Sequence, residues 1–295
     1  MKKLLLILLL LSNNVFAQKQ NVVVSFATGT PPDVICRHVM EKYDNLYNTT
    51  STILNVPGAE QVVGFNSFIN MSEFGMFCAG NGILLASKTN PNLNINTDLI
   101  KPVAMLYTYS YFIYASRGNS LDELMKESKN TGKKLLVGAI SNHSAKIVTM
   151  ILDDNKVEYD VVTYKKPSDS LPSLRDKQLD IYVDGGTLKP ILDDMKDVKE
   201  IAHFATKNVS KSENLYNRNI NVQNIQSRTI IYVNSNVSDN EIYELNRRFN
   251  DIMKRQDTID FIKSRYPSYT IYHSTVKEID QYMKKFKYYI NYVYN

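Results

Sequence analysis

The chain has no tryptophan, only two cysteines, and few glycines (11) and prolines (9) among its 295 residues. Two cysteines cannot staple a small disulfide scaffold, and so little Gly and Pro excludes a collagen-like repeat or a low-complexity chain. Charge of one sign is also scarce. Lys and Arg (35) nearly balance Asp and Glu (30), leaving a formal +5 interspersed along the chain. That balance gives no electrostatic footprint for nucleic acid, although an anionic small ligand is compatible with it. The one long apolar run, Leu4 to Leu11, is far short of the roughly 20 residues that span a bilayer. What is present is 43% hydrophobic residues, enough for packed cores and, at this length, for about two domains.

The first seventeen residues read as a secretory signal peptide: basic Met1-Lys2-Lys3, the apolar run, polar Ser12-Asn13-Asn14, then Val15-Phe16-Ala17 ending in a small residue. Cleavage is expected after Ala17, and with no cysteine at that point a lipoprotein anchor is not expected. Cys36 and Cys78 fall in the exported part, where disulfides persist. Cys36 sits in a helical pattern and Cys78 in a strand pattern, so two buried thiols and a bridge both stay open. Their spacing fits no metal or redox motif.

From Gln18 onward, apolar periodicity alternates between strand and helix. Val22 to Phe26 reads as a strand, Asp33 to Leu46 as a helix, Ser51 to Val56 as a strand, Val62 to Ile69 as a helix and Phe74 to Cys78 as a strand. Leu99 to Met105 and Tyr109 to Ala115 read as further strands. A second unit starts with the capped helix Ser120 to Ser128. It continues through strands at Lys134 to Ile140, Tyr159 to Thr163, Leu179 to Val183 and Val198 to Phe204, with helices at Ala145 to Asp153, Ser168 to Asp176 and Leu188 to Met195. Lys207 to Ser227 is polar, a long surface connection. Arg228 to Val233 returns as a strand, followed by helices from Ser238 to Arg255 and Thr258 to Arg265. Tyr269 to His273 reads as a short strand, and a closing helix runs from Thr275 to Tyr292. The pattern is α/β with parallel-rich layers.

Three loops follow strands and precede helices: SFATGTPPD (Ser25 to Asp33), AISNHSA (Ala139 to Ala145) and YVDGGT (Tyr182 to Thr187). At such places backbone N–H groups point outward and favour an anion. At these residues the chain resembles the periplasmic receptors of tripartite tricarboxylate transporters, the Bug family of solute-binding proteins. Phe26, Gly29 and Asp33 keep the register of the family's PFxxGGxxD. NVPGAEQVVGF is similar to its NRPGAGGxxG at Asn55, Pro57, Gly58, Ala59 and Gly64. AGNGILLASKTNPNLN matches the segment after the third strand at Asn81, Gly82, Ala86 and Pro91. VVTYKKPSDSLPSLRDKQLDIYVDG runs without a gap along a second-unit stretch, matching at Val162, Tyr164, Lys165, Leu171, Leu174, Gln178, Asp180, Asp184 and Gly185. HSTVKEIDQYMKKF looks like the family's last strand-to-helix stretch. No single motif is specific; their collinear order is.

The resemblance implies a two-lobed, type II periplasmic-binding-protein-like fold with two chain crossings, near Gly118 and Gln226. Residues 18–117 and 228–295 would form lobe 1 and 118–227 lobe 2. It implies a periplasmic, monomeric receptor that takes a small organic anion (a di- or tricarboxylate, an acidic amino acid or an aromatic acid) and hands it to membrane permease subunits. No catalysis, cofactor, metal or nucleic acid is called for. The expected ligand-facing residues are Phe26, Ala27, Thr28, Gly29, Thr30 and Asp33; Ala59 and Gln61; Asn81 and Gly82; Ser141, Asn142, His143 and Ser144; and Tyr164, Asp184 and Gly185.

The chain departs from the pattern at Thr30-Pro31-Pro32, where a glycine gives way to a stiffer turn with fewer N–H donors. Glu60-Gln61 replaces the glycine pair after PGA, and Ile147 stands where the family has a histidine. Several expected ligand residues also have a purely structural use. Any of Ser141, Asn142 and Ser144 can cap a helix, Asp33 can cap or orient its turn, and Asp184 can cap its own turn. Phe26 can simply end a core strand, and Tyr164 can be a surface aromatic. Two other functions are carried alongside the receptor: a secreted hydrolase using His143 and Ser144 with Asp184, although no GxSxG elbow occurs, and a sensor or scaffold derived from the receptor.

Overall fold

The computed structural model describes residues 18–86, 95–205, 209–218 and 227–294. The expected signal peptide, Pro91 and the expected crossing at Gln226 lie outside them.

The first sheet begins with β1 (Gln18–Val24). It continues through α1 (Pro31–Tyr47), β2 (Thr49–Asn55), α2 (Val62–Ile69), β3 (Gly75–Gly80) and β4 (Ile100–Thr108). β1 pairs parallel with β2 and β3, as βαβ crossovers require. β1 is buried on both faces in its second half, which is why Val22-Val23-Val24 reads as a continuous apolar run. The chain then enters a second sheet through β5 (Tyr111–Ala115). There follow α3 (Leu121–Thr131), β6 (Leu135–Ala139), α4 (Asn142–Asp154), β7 (Tyr159–Thr163), α5 (Leu171–Arg175), β8 (Ile181–Asp184), α6 (Lys189–Asp193), β9 (Lys199–Phe204) and β10 (Glu213–Asn214). β11 (Arg228–Asn234) returns to the first sheet, and α7 (Asp239–Met253), α8 (Gln256–Arg265), β12 (Thr270–Ile271) and α9 (Val276–Tyr294) complete it.

The strand orders are β12-β4-β11-β3-β1-β2 and β10-β9-β5-β8-β6-β7. Each sheet accepts one antiparallel strand as the chain arrives from the other: β11 between β3 and β4, and β5 between β8 and β9.

One boundary differs from the sequence expectation. The first crossing lies at Tyr109-Ser110, between β4 and β5, and not near Gly118. Tyr111 to Ala115 therefore belongs with the second sheet. Two strands separated by two residues carry the local pattern of a hairpin, and only the pairing partners of β5 reveal that it crosses.

One face of the first sheet packs against α1, α7 and α8 through Val22, Val24, Ile35, Val39, Ile231 and Phe249. The other face carries Phe65, Phe77, Ile230, Tyr232 and the α9 side chains Ile279, Met283 and Phe286, and this cluster is continuous with the second sheet's Val137, Ile147, Val148 and Ile181. α9 makes the link. The Phe286 ring stands edge-on to His143 of α4, with centroids 6.4 Å apart, and the Tyr289 hydroxyl lies 3.3 Å from Met150 Sδ. Among the described residues no helix is long and apolar enough to cross a membrane. Cys36 and Cys78 are buried, unbridged neighbours; hydrogen bonding to Cys36 together with burial pushes the Cys78 thiol well up.

Candidate functional site

The first loop is organised by a single carboxylate. Asp33 lies just inside α1, behind the N-cap Thr30, and is 1% exposed. Gly29 N–H donates to its Oδ2 at 2.8 Å, while Arg37 Nε (2.9 Å) and Asn55 Nδ2 (2.7 Å) donate to its Oδ1. The second amide hydrogen of Asn55 reaches the Phe26 carbonyl at 3.0 Å. Asp33 thus sets the loop's shape, with three donors already on its two oxygens. Gly29 has φ +80°, a conformation that favours glycine. Thr28 and Gly29 are exposed, and Phe26, Ala27 and Thr30 partly so.

The second loop contains three consecutive left-handed residues, none of them glycine: Ala59 (φ 44°), Glu60 (φ 53°) and Gln61 (φ 78°). The glycines of the resembled pattern would fall at Glu60 and Gln61, so the backbone keeps a path that suits glycine while its side chains bear the strain. Gln61 then folds inward. Its Oε1 accepts from Ser25 Oγ at 3.0 Å and from Gly80 N–H at 2.6 Å. Its Nε2 lies against the third loop, where a Cβ at Gly80 or Gly82 would stand 3.3 or 3.2 Å away. Asn81 is wholly buried; its Oδ1 accepts from Arg228 N–H at 3.0 Å and its Nδ2 donates to the Tyr282 hydroxyl at 2.6 Å. Ser25, Gln61 and Gly80 therefore form one bonded group at the carboxyl end of the first sheet, and Asn81, next along the chain, ties it to Arg228 and Tyr282.

In the second sheet, Ser141 and Ser144 cap α4 reciprocally. Ser144 N–H donates to Ser141 Oγ at 3.1 Å and Ser141 N–H to Ser144 Oγ at 3.2 Å. The Ser144 hydroxyl also donates to the Ser141 carbonyl at 2.9 Å. Capping is thus the use these hydroxyls have, and Ser144 is poorly disposed to act as a nucleophile. Asn142 is exposed beside them, and His143 packs against α9. Tyr164 follows β7 and meets Tyr182 edge-on with centroids 6.4 Å apart.

Asp184 ends β8 almost wholly buried; its Oδ2 accepts from Leu188 N–H at 3.1 Å, while its Oδ1 has no partner among the described residues. Burial pushes its carboxyl up to about 7. The turn that follows meets the first sheet. A Cβ at Gly185 would stand 3.0 Å from the Tyr109 ring, and one at Gly186, whose φ is +87°, 3.2 Å from Ser268 Oγ.

The sequence-predicted residues thus gather at the carboxyl ends of the two sheets. Sequence reasoning missed Arg228 and its neighbours Tyr272 and Tyr282, which stand at the same end of the first sheet. No local motif marks them. A cavity of about 240 Å³ lies elsewhere, beside α9, lined by Leu84, Ile100, Tyr232 and Met283 among others.

No family model matches the chain, and no curated protein matches it in sequence. Solved structures match it in shape. MatC from Rhodopseudomonas palustris, solved with bound malate, is 16% identical at a TM-score of 0.73, covering 92% of this chain and 99% of its own. A second R. palustris protein, solved with adipate, is 13% identical at 0.75, covering 93% and 96%. A TctC solute binding protein from Polaromonas is 16% identical at 0.69, covering 94% and 99%. Two six-stranded sheets, each receiving a strand from the other's chain path, and whole-length superposition on these proteins give the chain the two-lobed α/β fold of periplasmic binding proteins.

Proposed function

We propose that the protein is an exported receptor that captures a small organic anion, a carboxylate, between its two lobes and delivers it to the membrane permease of a tripartite tricarboxylate-type transporter. The observation that carries this reading is the contact made by the turn after β8, where Gly185 abuts Tyr109 at the crossing and Gly186 abuts Ser268 of the other lobe, so the carboxyl end of the second sheet meets the first lobe. Loop N–H groups and hydroxyls there suit carboxylate oxygens. Lobe 1 contributes Phe26 to Thr30, Ala59, Gln61, Asn81 and Gly82; lobe 2 contributes Ser141 to Ser144, Tyr164, Asp184 and Gly185. Malate and adipate in the similar structures support the ligand class. Periplasmic proteins among the neighbours and the amino-terminal pattern of the sequence support export. Binding without turnover agrees with a Ser144 engaged in capping.

Calorimetric titration of the chain from Gln18 against dicarboxylates, tricarboxylates, acidic amino acids and aromatic acids tests the proposal. One-to-one binding of at least one anion, with no product formed, is expected. Heat from none of them refutes it.

A further inference from the structure

Arg228 is the one partly buried arginine among the described residues that holds no carboxylate. Arg117 is paired with Asp180 and Glu127, Arg218 with Asp122 and Glu213, and Arg248 with Glu244. The Arg228 guanidinium instead lies 3.7 Å from the centroid of the Tyr282 ring and 4.7 Å from that of Tyr272. Its Nη1 reaches only the weak acceptor Met105 Sδ at 3.2 Å, and its buried Nε has no partner among the described residues. A guanidinium withdrawn from water without an anion is costly, and two aromatic faces compensate that loss only in part.

Its position gives the missing partner a source. Arg228 is the first residue of β11, where the chain has just returned from the second sheet, and its backbone N–H is bonded to Asn81 Oδ1. Asn81 in turn holds the hydroxyl of Tyr282, the ring against which the guanidinium lies. A preoriented, uncompensated fork of donors therefore stands beside Asn81 and the loop group of Ser25, Gln61 and Gly80.

We propose that Arg228 is the anion anchor of this protein, binding a carboxylate of the solute through its guanidinium while Tyr272 and Tyr282 hold the plane of the fork. This rests on the receptor reading and names the residue that gives it charge selectivity. A planar fork pairs two N–H donors with two carboxylate oxygens, which a lysine ammonium does not reproduce.

The test titrates the wild-type chain, Arg228→Gln and Arg228→Lys with malate, adipate, the uncharged diamide of adipic acid, and sulfate, with circular dichroism reporting the fold. Wild type is expected to bind a dicarboxylate and ignore the diamide. Arg228→Gln is expected to lose on the order of 10- to 100-fold in affinity, the worth of a charge-assisted hydrogen bond, and Arg228→Lys to fall between. If wild type binds a dicarboxylate and Arg228→Gln binds it equally, the anchor is refuted and the receptor reading stands. If wild type binds neither dicarboxylate but takes sulfate only while Arg228 is present, the carboxylate reading falls and the anchor stands. No binding of any anion refutes both. Should Arg228→Gln fail to fold, Arg228→Lys decides: undiminished affinity overturns the anchor, and a tenfold loss supports it.

Discussion

Asp33 and Asp184 are both buried carboxylates at loop ends, and their surroundings give them opposite characters. Asp33 accepts from Gly29, Arg37 and Asn55, so its charge is compensated on the spot. Asp184 has backbone donors at Leu188 and Gly186, an oxygen without a hydrogen-bond partner among the described residues, and a carboxyl that burial raises to about 7. The pH consequence has a definite sign. Between the ordinary carboxylate value of 3.8 and about 7 the folded chain holds a proton that the unfolded chain has released, so this group makes stability fall as pH rises through that window and level off above it. Urea unfolding across that range is expected to show this slope in wild type and to lose it in Asp184→Asn. An unchanged slope in the variant would place the proton elsewhere. That Asp33 could cap or orient its turn, and that one of Ser141, Asn142 and Ser144 could cap a helix, was legible in the sequence. Arg37, four residues along the same helix, is a partner that helical spacing offers Asp33, whereas Asn55 arrives from the end of β2, which no local pattern reports.

At the scale of elements, most strands and helices follow from apolar periodicity, because burial on one or both faces writes its period into the chain. α2 (Val62–Ile69) coincides with the expected helix, and the Ser238 cap stands where the sequence places it. The expected helix from Ser168 to Asp176 is instead a 3₁₀ turn, Pro167–Ser170, leading into the short α5; Pro172 lacks the N–H that a continuous helix would use. The loop from Ala59 to Gln61 carries a cost visible at this scale. Glu60 holds φ 53° without being glycine. Glu60→Gly is expected to stabilise the fold by up to about 1 kcal/mol, the steric relief exceeding the added entropy of the unfolded chain. A thermal midpoint that falls instead would show that the Glu60 side chain contributes more than its backbone strain costs.

Across the whole molecule, two sheets are joined by chain crossings and by one helix, α9, that packs on the first sheet and also touches α4 of the second lobe. Phe286 of α9 is 1% exposed, stacks on Tyr282 with centroids 5.7 Å apart and meets His143 of the other lobe. Phe286→Ala is expected to cost about 3–5 kcal/mol, as removal of a buried aromatic does. Denaturant unfolding followed separately at the two lobes would show the first lobe losing that stability and the second losing part of it through the α4 contact. Loss confined to one lobe would mean that α9 does not couple them.

The order of strands and helices, the loops that end them and the likeness to a receptor family were fixed by local pattern, since periodicity, capping and turn chemistry act within a few residues. The lobe to which Tyr111 to Ala115 belongs, the inward fold of Gln61, and an Arg228 held by two tyrosines and paired with no carboxylate among the described residues were decided only by tertiary structure. The strand pairing of β5 and the surroundings of Arg228 depend on residues brought together from distant positions, β5 with β8 and Arg228 with Asn81, and no short stretch of sequence carries that information.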